Sequence, residues 1–287
     1  MLQQQWTRRI WPLQKESPAK TVCHRLKPVI DHVATATQCR LKVVDFCAGG
    51  GGPTPTFEHV INRGKGAEAR NVPIQFTMCD LYPNIPAWRD ITQGRRHLDY
   101  YRRSVDAAAP PADLQNTDDS KVFRLYNLSF HHFPDDVAKN ILQSTLNTSE
   151  GFAIVELQER NWLCMLQMLF NGIGISVLTL AWFPFWRRKN WRQLFFTYAL
   201  FPAPFSVLPW TMWWDGLASC ARTRGFEEVM ELISSLEPDR ERLSIHMSAN
   251  RDEKYCHWRR WDFTQIRQRH TWPFMYMNII TGVKQHY

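Results

Sequence analysis

The sequence lacks several features that mark secreted, metal-binding and repeat proteins. Its seven cysteines are scattered, and no two of them form a C-x-x-C pair. That spacing predicts neither a zinc site nor a secreted disulfide framework, so we expect no metal and a reducing compartment. No internal repeat is visible, and the opening stretch MLQQQWTRRIWPLQKES has no apolar core of the signal-peptide kind. A cytoplasmic location is therefore expected.

Acidic residues are in the minority, because 27 aspartates and glutamates stand against 35 lysines and arginines, for a net charge of +8. That excess favours an anionic partner, either nucleic acid or a lipid surface. The stretch HWRRWDFTQIRQRH mixes aromatic and basic residues, as single-strand binders do. However, Trp258, Trp261 and Phe263 also alternate as in a strand, and the apolar middle of the chain does not suit a nucleic-acid groove. Nucleic acid is therefore not the expected partner.

Short apolar runs alternate along the chain with amphipathic segments of helical period. Residues 1–40 are expected to form a polar-amphipathic helical segment. Strands are predicted at 40–46, 74–80, 100–107, 121–130 and 150–157, helices at 53–64, 134–146 and 226–236, and two final strands at 257–268 and 271–284. This β-then-α alternation predicts a mostly parallel sheet with helices on both faces.

The stretch KVVDFCAGGGGPTPTF, residues 42–57, places four consecutive glycines after a strand that ends in Asp45. Four glycines together indicate positive φ or the close approach of a ligand. An acid also ends each of the next two predicted strands, so the turn is typical of a nucleotide-binding βα unit, with a solvent loop as the alternative. The pattern G-x-G-x-x-G does not fit CAGGGG, and the absence of a following lysine excludes a P-loop.

These residues resemble motif I of class I S-adenosylmethionine-dependent methyltransferases. The family pattern is apolar-apolar-Asp-x-Gly-x-Gly-x-Gly, in which Asp45, Gly49 and Gly51 match, while Cys47 stands at the first glycine position. That departure is mild if Cys47 has negative φ. The stretches SFHHFPDD and WDGLASCARTR also resemble a small-molecule subset of the family. The resemblance covers residues 40–157 and 226–283.

The resemblance implies a Rossmann-like α/β fold, a seven-stranded, mostly parallel sheet whose last strand is antiparallel, with S-adenosylmethionine as cofactor. The glycine backbone and the free N–H groups where the helix opens would hold the methionine part, Asp80 the ribose hydroxyls, and Asp106 the adenine amino group. Asp45 would accept from the methionine amino group or a bridging water. The implied contacts are Asp45, Cys47, Gly49, Gly50, Gly51, Thr54, Asp80, Leu81, Asp106, Ala107, Ser129 and Phe130.

The stretch LSFHHF ends the fourth predicted strand, at the sheet edge where ligands bind in open α/β folds. One imidazole there is a candidate general base. Because side chains alternate along a strand, we expect His131 and His132 to point to opposite sides, and we favour His132. The alternative is that both histidines cap the strand.

Glutamates follow the fifth predicted strand at the same edge. Glu159 is a candidate catalytic carboxylate, as is Glu156. The alternative is a structural partner for Arg160 or Arg222.

Two uncharged runs, at 161–186 and 193–214, form an apolar insertion after the fifth strand. They fit either a hairpin that dips into a membrane interface or a lid buried by the core or by a second subunit of a homodimer, and a true membrane span is less favoured. Either arrangement predicts a hydrophobic small-molecule substrate. The expected domains are an N-terminal helical segment at 1–40, a cofactor-binding half at 41–160, the apolar helical insertion at 161–215 and the C-terminal part of the methyltransferase domain at 216–287.

Three functions remain open from the sequence. The first is methyl transfer to an O, N or C nucleophile of a hydrophobic small molecule, such as a lipid or a natural-product intermediate. The second is a methyltransferase-fold cyclase or isomerase of natural-product biosynthesis, pericyclase-like, that binds the cofactor without transferring methyl. The third is a membrane-associated scaffold with a vestigial cofactor site.

Overall fold

The computed structural model describes residues 6–63, 72–168, 207–237, 244–248 and 252–286. The chain divides into two compact units, and the first, Met1–Leu157 with Arg224–Tyr287, contains the sheet. The second unit is Gln158–Thr223.

A single mixed sheet organises the first unit, and its described residues contribute nine strands. Their bounds are β1 (Arg40–Phe46), β2 (Gln75–Cys79), β3 (Leu98–Tyr100), β4 (Ser120–Asn127), β5 (Gly151–Glu156), β6 (Ile245–Met247), β7 (Glu253–Trp258), β8 (Trp261–Thr271) and β9 (Met275–Lys284). The spatial order is β3-β2-β1-β4-β5-β9-β8-β7-β6. Strands β1 to β5 pair in parallel, and all other neighbours pair antiparallel. The order 3-2-1-4-5 is that of doubly wound α/β sheets.

Helices cover both faces of this sheet, as the β–α alternation predicted. The described helices are α1 (Pro18–Thr37), α2 (Thr54–Arg63), α3 (Ile85–Thr92), α4 (Asp135–Thr148), α5 (Val207–Arg222, in the second unit) and α6 (Phe226–Ser234). Successive side chains of β1 enter different clusters: Val43 joins the core built by α1, α2 and α3, whereas Val44 and Phe46 join the core built by α4 and α6. Alternation along the strand therefore supplies both cores.

The predicted count of seven strands is wrong, because β6 and β7 extend the sheet. The run at 257–268, predicted as one strand, is divided by a two-residue turn in which Arg259 has φ +56°. Trp258 and Trp261 then face each other across the β7–β8 hairpin. The alternating pattern continues through this turn without the glycine or asparagine that usually marks one.

The third strand is also misplaced in the sequence prediction, since β3 ends at Tyr100 rather than spanning 100–107. Beyond it, the Tyr101 N–H donates to the Met78 carbonyl at 2.8 Å and the Val105 N–H to the Asp80 carbonyl at 3.0 Å. The chain therefore stays beside the end of β2 in an irregular path. Helix α3 was not predicted.

Arg124 on β4 is fully buried in the core formed with α4 and α6. Its guanidinium donates to the carbonyl of Ala107 at 3.4 Å and to Thr145 Oγ1 at 3.3 Å, and it lies 5.0 Å over the ring of Phe46. Within the described residues it has no carboxylate partner. It therefore holds the loop that contains Asp106 against α4 through neutral oxygens alone.

Most of the apolar insertion, residues 169–206, lies outside the described residues. The membrane-interface and lid hypotheses for it therefore stay predictions. Among the described helices, none combines the length and the apolar character needed to cross a bilayer.

Candidate functional site

The glycine loop follows β1 at the sheet edge where the parallel strands end, which is where open α/β sheets bind ligands. The Gly49 N–H donates to Asp80 Oδ2 at 2.8 Å, and Trp88 Nε1 of α3 donates to the Gly49 carbonyl at 2.9 Å. The Gly51 N–H closes a turn on the Ala48 carbonyl at 2.8 Å. The loop is thus fixed by β2 on one side and α3 on the other.

Gly51 has a backbone that other residues rarely adopt, with φ +98°. A Cβ there would come 2.5 Å from Ile91 Cδ1 and 3.4 Å from Met78 Sδ. The conformation therefore favours glycine at this position, and a side chain there would also displace the end of Ile91. Gly51 lies in a packed part of the turn, whereas a Cβ on Gly52 would meet open space.

Cys47 does not have the negative φ that would make it a mild replacement for the first glycine of the motif. Its φ is +60°, the left-handed conformation that the family pattern fills with glycine. A side chain in this region costs roughly 1–2 kcal/mol. The departure from the motif is therefore a strained one.

Asp45 is buried, and each of its carboxylate oxygens accepts a hydrogen bond from the protein. Oδ2 accepts from the Thr54 hydroxyl at the start of α2, and Oδ1 accepts from Asn127 Nδ2 at 2.8 Å. Burial raises the pKa of Asp45 to about 7, with a further rise from the charge of Asp80 and opposing effects of the two hydrogen bonds. Asp45 therefore ties α2 to the end of β4, and its direct contact with a cofactor stays a prediction.

The raised pKa of Asp45 predicts a specific pH dependence of stability. The unfolded chain loses the Asp45 proton near the ordinary aspartate pKa of 3.8, while the folded chain retains it to about pH 7. The free energy of unfolding should therefore fall as the pH rises from about 4 to about 7. Asp45→Asn, which cannot titrate, should lack this fall, as measured by urea unfolding of both proteins across the range.

The comparison is made as a difference between wild type and Asp45→Asn because another buried group acts in the opposite direction. Burial lowers the pKa of His270 to about 4, so its contribution to stability is lost as the pH falls from 6.5 towards 4. That contribution is common to both proteins and cancels. Parallel curves for the two proteins would contradict the buried, protonated state of Asp45.

The opening of α2 offers fewer free amides than predicted. Pro53 and Pro55 have no N–H, and the Thr56 N–H is taken by the Pro53 carbonyl at 2.8 Å. Within the described residues, the loop N–H groups of Gly50 and Gly52 have no hydrogen-bond partner. The glycine loop thus offers donors to a ligand.

Asp80 directly follows β2 and is partly exposed beside the loop. Its Oδ1 accepts from the Tyr82 N–H at 2.8 Å, and the exposed side chain of Leu81 follows it directly. The irregular segment after β3 brings Asp106 to the same edge, where its Oδ1 accepts from the Ala108 N–H at 2.9 Å. The carboxylates expected to hold ribose and adenine are therefore at the same edge as the loop, although their roles stay predictions.

Negative charge converges on Cys47. Burial and the charges of Asp80, Asp45 and Asp106 together raise the pKa of its thiol to about 12. The thiol is therefore protonated at neutral pH and is not a nucleophile. The edge of the sheet at this point is suited to a cationic ligand.

A buried polar atom at the end of β4, Asn127 Oδ1, lacks a protein partner within the described residues. The nearby Ser129 side chain instead interacts with the Cys47 thiol and opposes the rise in its pKa. Unpaired buried groups are costly, at roughly 1–3 kcal/mol each, and so indicate an additional polar partner. Phe130 and Ala107 are instead buried in the core, where the Phe130 ring meets that of Tyr126 edge-on at 6.1 Å.

The expectation that His131 and His132 point to opposite sides is wrong. β4 ends at Asn127, and residues 130–132 form a 3-10 turn in which the two imidazole rings lie 4.1 Å apart. His131 is buried, with Nδ1 2.8 Å from Glu156 Oε2, and its backbone N–H donates to Oε1 of the same carboxylate at 3.1 Å. His132 is exposed.

Glu159 belongs to the second unit, where its carboxylate accepts from Asn161 Nδ2 at 2.8 Å. Its catalytic role stays a prediction. Sequence reasoning missed Asn127 and Trp88. Asn127 could have been identified, because it is a polar residue near the carboxyl end of a predicted strand. Nothing in the sequence indicated that Trp88 would hydrogen-bond to the glycine loop.

No protein-family model matches the chain, and neither does any curated protein. Similar solved structures include the citrinin polyketide synthase CMeT domain, at 12% identity and a TM-score of 0.48 over 95% of this chain and 55% of that one. An O-methyltransferase family protein from Burkholderia thailandensis shares 9% identity at a TM-score of 0.40 over 93% and 58%. The plantazolicin methyltransferase BpumL, in complex with a desmethylPZN analogue and SAH, shares 10% at 0.45 over 95% and 86%.

The chain thus spans just over half the length of the first two of these proteins. Similarities this weak carry no argument about function. The doubly wound strand order and the glycine loop beside Asp45, Asp80 and Asp106 are observed in this chain itself, and they favour a nucleotide-type binding site at the carboxyl edge of its sheet.

Proposed function

We propose that this protein is an S-adenosylmethionine-dependent methyltransferase that acts on a hydrophobic small molecule. The observation that carries the proposal is the hydrogen bond from the Gly49 amide to the Asp80 carboxylate, in a loop where Asp45, Asp80 and Asp106 all act on one thiol. S-adenosylmethionine carries an ammonium and a sulfonium, so the acidic edge complements its positive charges.

The residues present fit this cofactor in further respects. Among the described residues, Asn127 Oδ1 is a buried acceptor without a protein partner. The free N–H groups of Gly50 and Gly52 are donors that suit the cofactor carboxylate. Asp80 retains lone pairs for ribose hydroxyls beyond the two N–H groups it already accepts.

The same geometry disfavours a dinucleotide oxidoreductase. In dinucleotide folds the loop amides face a pyrophosphate, which carries two negative charges. Here a carboxylate already occupies the Gly49 N–H, and burial keeps Asp45 close to its neutral form beside it. A dianion at this loop would be repelled by the carboxylates of Asp80 and Asp106, and the nearly neutral Asp45 would offer it no attraction.

The cofactor supplies an electrophilic methyl group, so the residues of this chain need only bind, orient and accept a proton. His131 is the group best arranged to act as a base, because the Glu156 carboxylate fixes its ring and would stabilise the imidazolium. His132, favoured from the sequence, lies beside it and stays a prediction. The exposed side chains of Leu81 and Tyr82 beside Asp80 support a hydrophobic substrate.

A product assay tests the proposal. The full chain is incubated with S-adenosylmethionine and fractions of an apolar small-molecule extract, and the products are separated by mass spectrometry. The expected result is S-adenosylhomocysteine together with a product heavier than its precursor by one methylene unit. A product of unchanged mass, formed without consumption of the donor, would replace methyl transfer by cyclisation or isomerisation.

A further inference from the structure

The N-terminal segment and the β8–β9 turn together expose a group of large apolar side chains. Trp11 is 77% exposed and Trp272 is 60% exposed, and they are accompanied by Ile10, Leu13 and Phe274. We call these five residues the aromatic patch. Contiguous exposed apolar surface of this kind marks interaction sites in soluble proteins.

The aromatic patch is held in place rather than frayed. The Trp272 N–H donates to the Leu13 carbonyl at 2.9 Å, and the buried Gln14 donates through Nε2 to Thr271 Oγ1 at 2.7 Å. Upstream, Trp6 is buried, with its ring edge-on to that of a core phenylalanine. Two parts of the chain that are distant in sequence are thus fixed side by side with their tryptophans outward.

The patch lies at the edge of the sheet that carries the candidate site. β8 pairs antiparallel with β9, which pairs antiparallel with β5, so β8 runs parallel to β5. Its last residue, Thr271, therefore ends at the same edge as β1, β4 and β5, and the turn that carries Trp272 extends from that edge.

Exposed cations flank the aromatic patch along the chain. Arg8, Arg9 and Lys15 flank the exposed residues of the N-terminal segment, and Arg269 precedes the turn. Between residues 6 and 17, Glu16 is the only acid. Tryptophans at headgroup level with lysines and arginines near lipid phosphates form the usual pattern of an interfacial membrane contact.

We propose that the aromatic patch docks onto the surface of a bilayer that contains anionic lipids. Trp11 and Trp272 enter the headgroup region, and the surrounding cations meet the lipid phosphates. A second copy of this chain is a poorer occupant, because a symmetric contact would bring the same cations face to face with a single acid on each side to offset them. Docking does not depend on the proposed methyl transfer, but it would turn the candidate site towards a source of hydrophobic substrate.

Flotation of the full chain with lipid vesicles tests this docking. Wild type is expected to float with vesicles of phosphatidylcholine and phosphatidylserine. The paired change Trp11→Ser with Trp272→Ser should weaken this binding about tenfold or more, since apolar burial is lost. The pair Lys15→Gln with Arg269→Gln should weaken it about tenfold on anionic vesicles, and much less on phosphatidylcholine alone.

Matched controls use exposed residues on β6 and β7, the last two strands in the spatial order of the sheet. Met247→Ser with Tyr255→Ser removes two exposed apolar side chains from β6 and β7 and should leave flotation unchanged. Urea unfolding and S-adenosylhomocysteine binding of every variant should match wild type, which separates failure of docking from failure of the proposed function.

Three results would overturn the docking proposal. If wild type floats with neither kind of vesicle, the protein does not bind a bilayer surface. Binding that survives loss of both tryptophans belongs to another part of the chain. If wild type sediments as a dimer, the variant Trp11→Ser with Trp272→Ser sediments as a monomer, and neither floats, then a second copy of the chain occupies the patch.

Discussion

Asp80→Ala should weaken the binding of S-adenosylmethionine by about 100-fold, because hydrogen bonds to a charged acceptor are each worth roughly 1.5–3 kcal/mol. Asp80 is the partly exposed carboxylate that accepts from the Gly49 and Tyr82 N–H groups at 2.8 Å each. Its loss removes both the acceptor for the ligand and a hydrogen bond that fixes the loop. Isothermal titration calorimetry measures the affinity, and urea unfolding should show a loss of only about 1–2 kcal/mol.

Asp99→Ala is the matched control for this measurement. Asp99 is an exposed aspartate on the neighbouring β3, where its carboxylate accepts from the following N–H at 2.7 Å. It should bind the donor as wild type does. Equal affinities for wild type and Asp80→Ala would show that Asp80 serves the fold of the loop alone.

Arg124→Ala should cost about 3–5 kcal/mol of unfolding free energy, because it opens a cavity in the core and removes a hydrogen-bond network. The guanidinium is fully buried and bridges the carbonyl of Ala107 to Ser144, Thr145 and Thr148 of α4. Urea unfolding at neutral pH measures the loss. Because Ala107 follows Asp106, the variant should also loosen the segment expected to hold adenine.

Arg124→Met separates the packing contribution from the charge. Methionine fills much of the same volume, and the hydroxyls of Thr145 and Thr148 keep their bonds to the carbonyls of Ile141 and Ser144. A buried cation without a carboxylate partner adds little net stability, so this variant should lose only about 1–2 kcal/mol. A loss as large as that of alanine would show that the charged network itself stabilises the core.

Local patterns were sufficient to predict most of the parallel half of the fold, with the exception of β3 and α3. β1, β2, β4 and β5 lie where apolar runs bounded by turn residues predicted them, and α2 begins where its prolines indicated. The glycine turn and its acids were found because each answers a local requirement of backbone or strand end. Pairing within the antiparallel half depends on contacts distant in sequence, so the β7–β8 turn escaped detection.

The candidate site shows the same division. Asp45 and Asp80 could be identified by position, but their states could not: the burial of Asp45 and the protein donors on both its oxygens follow from tertiary packing. The contact between His131 and Glu156 could not be predicted either, because it joins the ends of two strands. It also depends on a 3-10 turn, in which side chains no longer alternate as they do along a strand. The glycine that the motif has at the position of Cys47 already indicated positive φ there, and the structure confirms that conformation.

Equilibrium dialysis of labelled S-adenosylmethionine against the full chain tests the central claim most directly. We expect one molecule bound per chain, displaced by S-adenosylhomocysteine and not by NAD. Absence of binding, or displacement by NAD as effective as by S-adenosylhomocysteine, would contradict an acidic glycine loop built for a cationic donor.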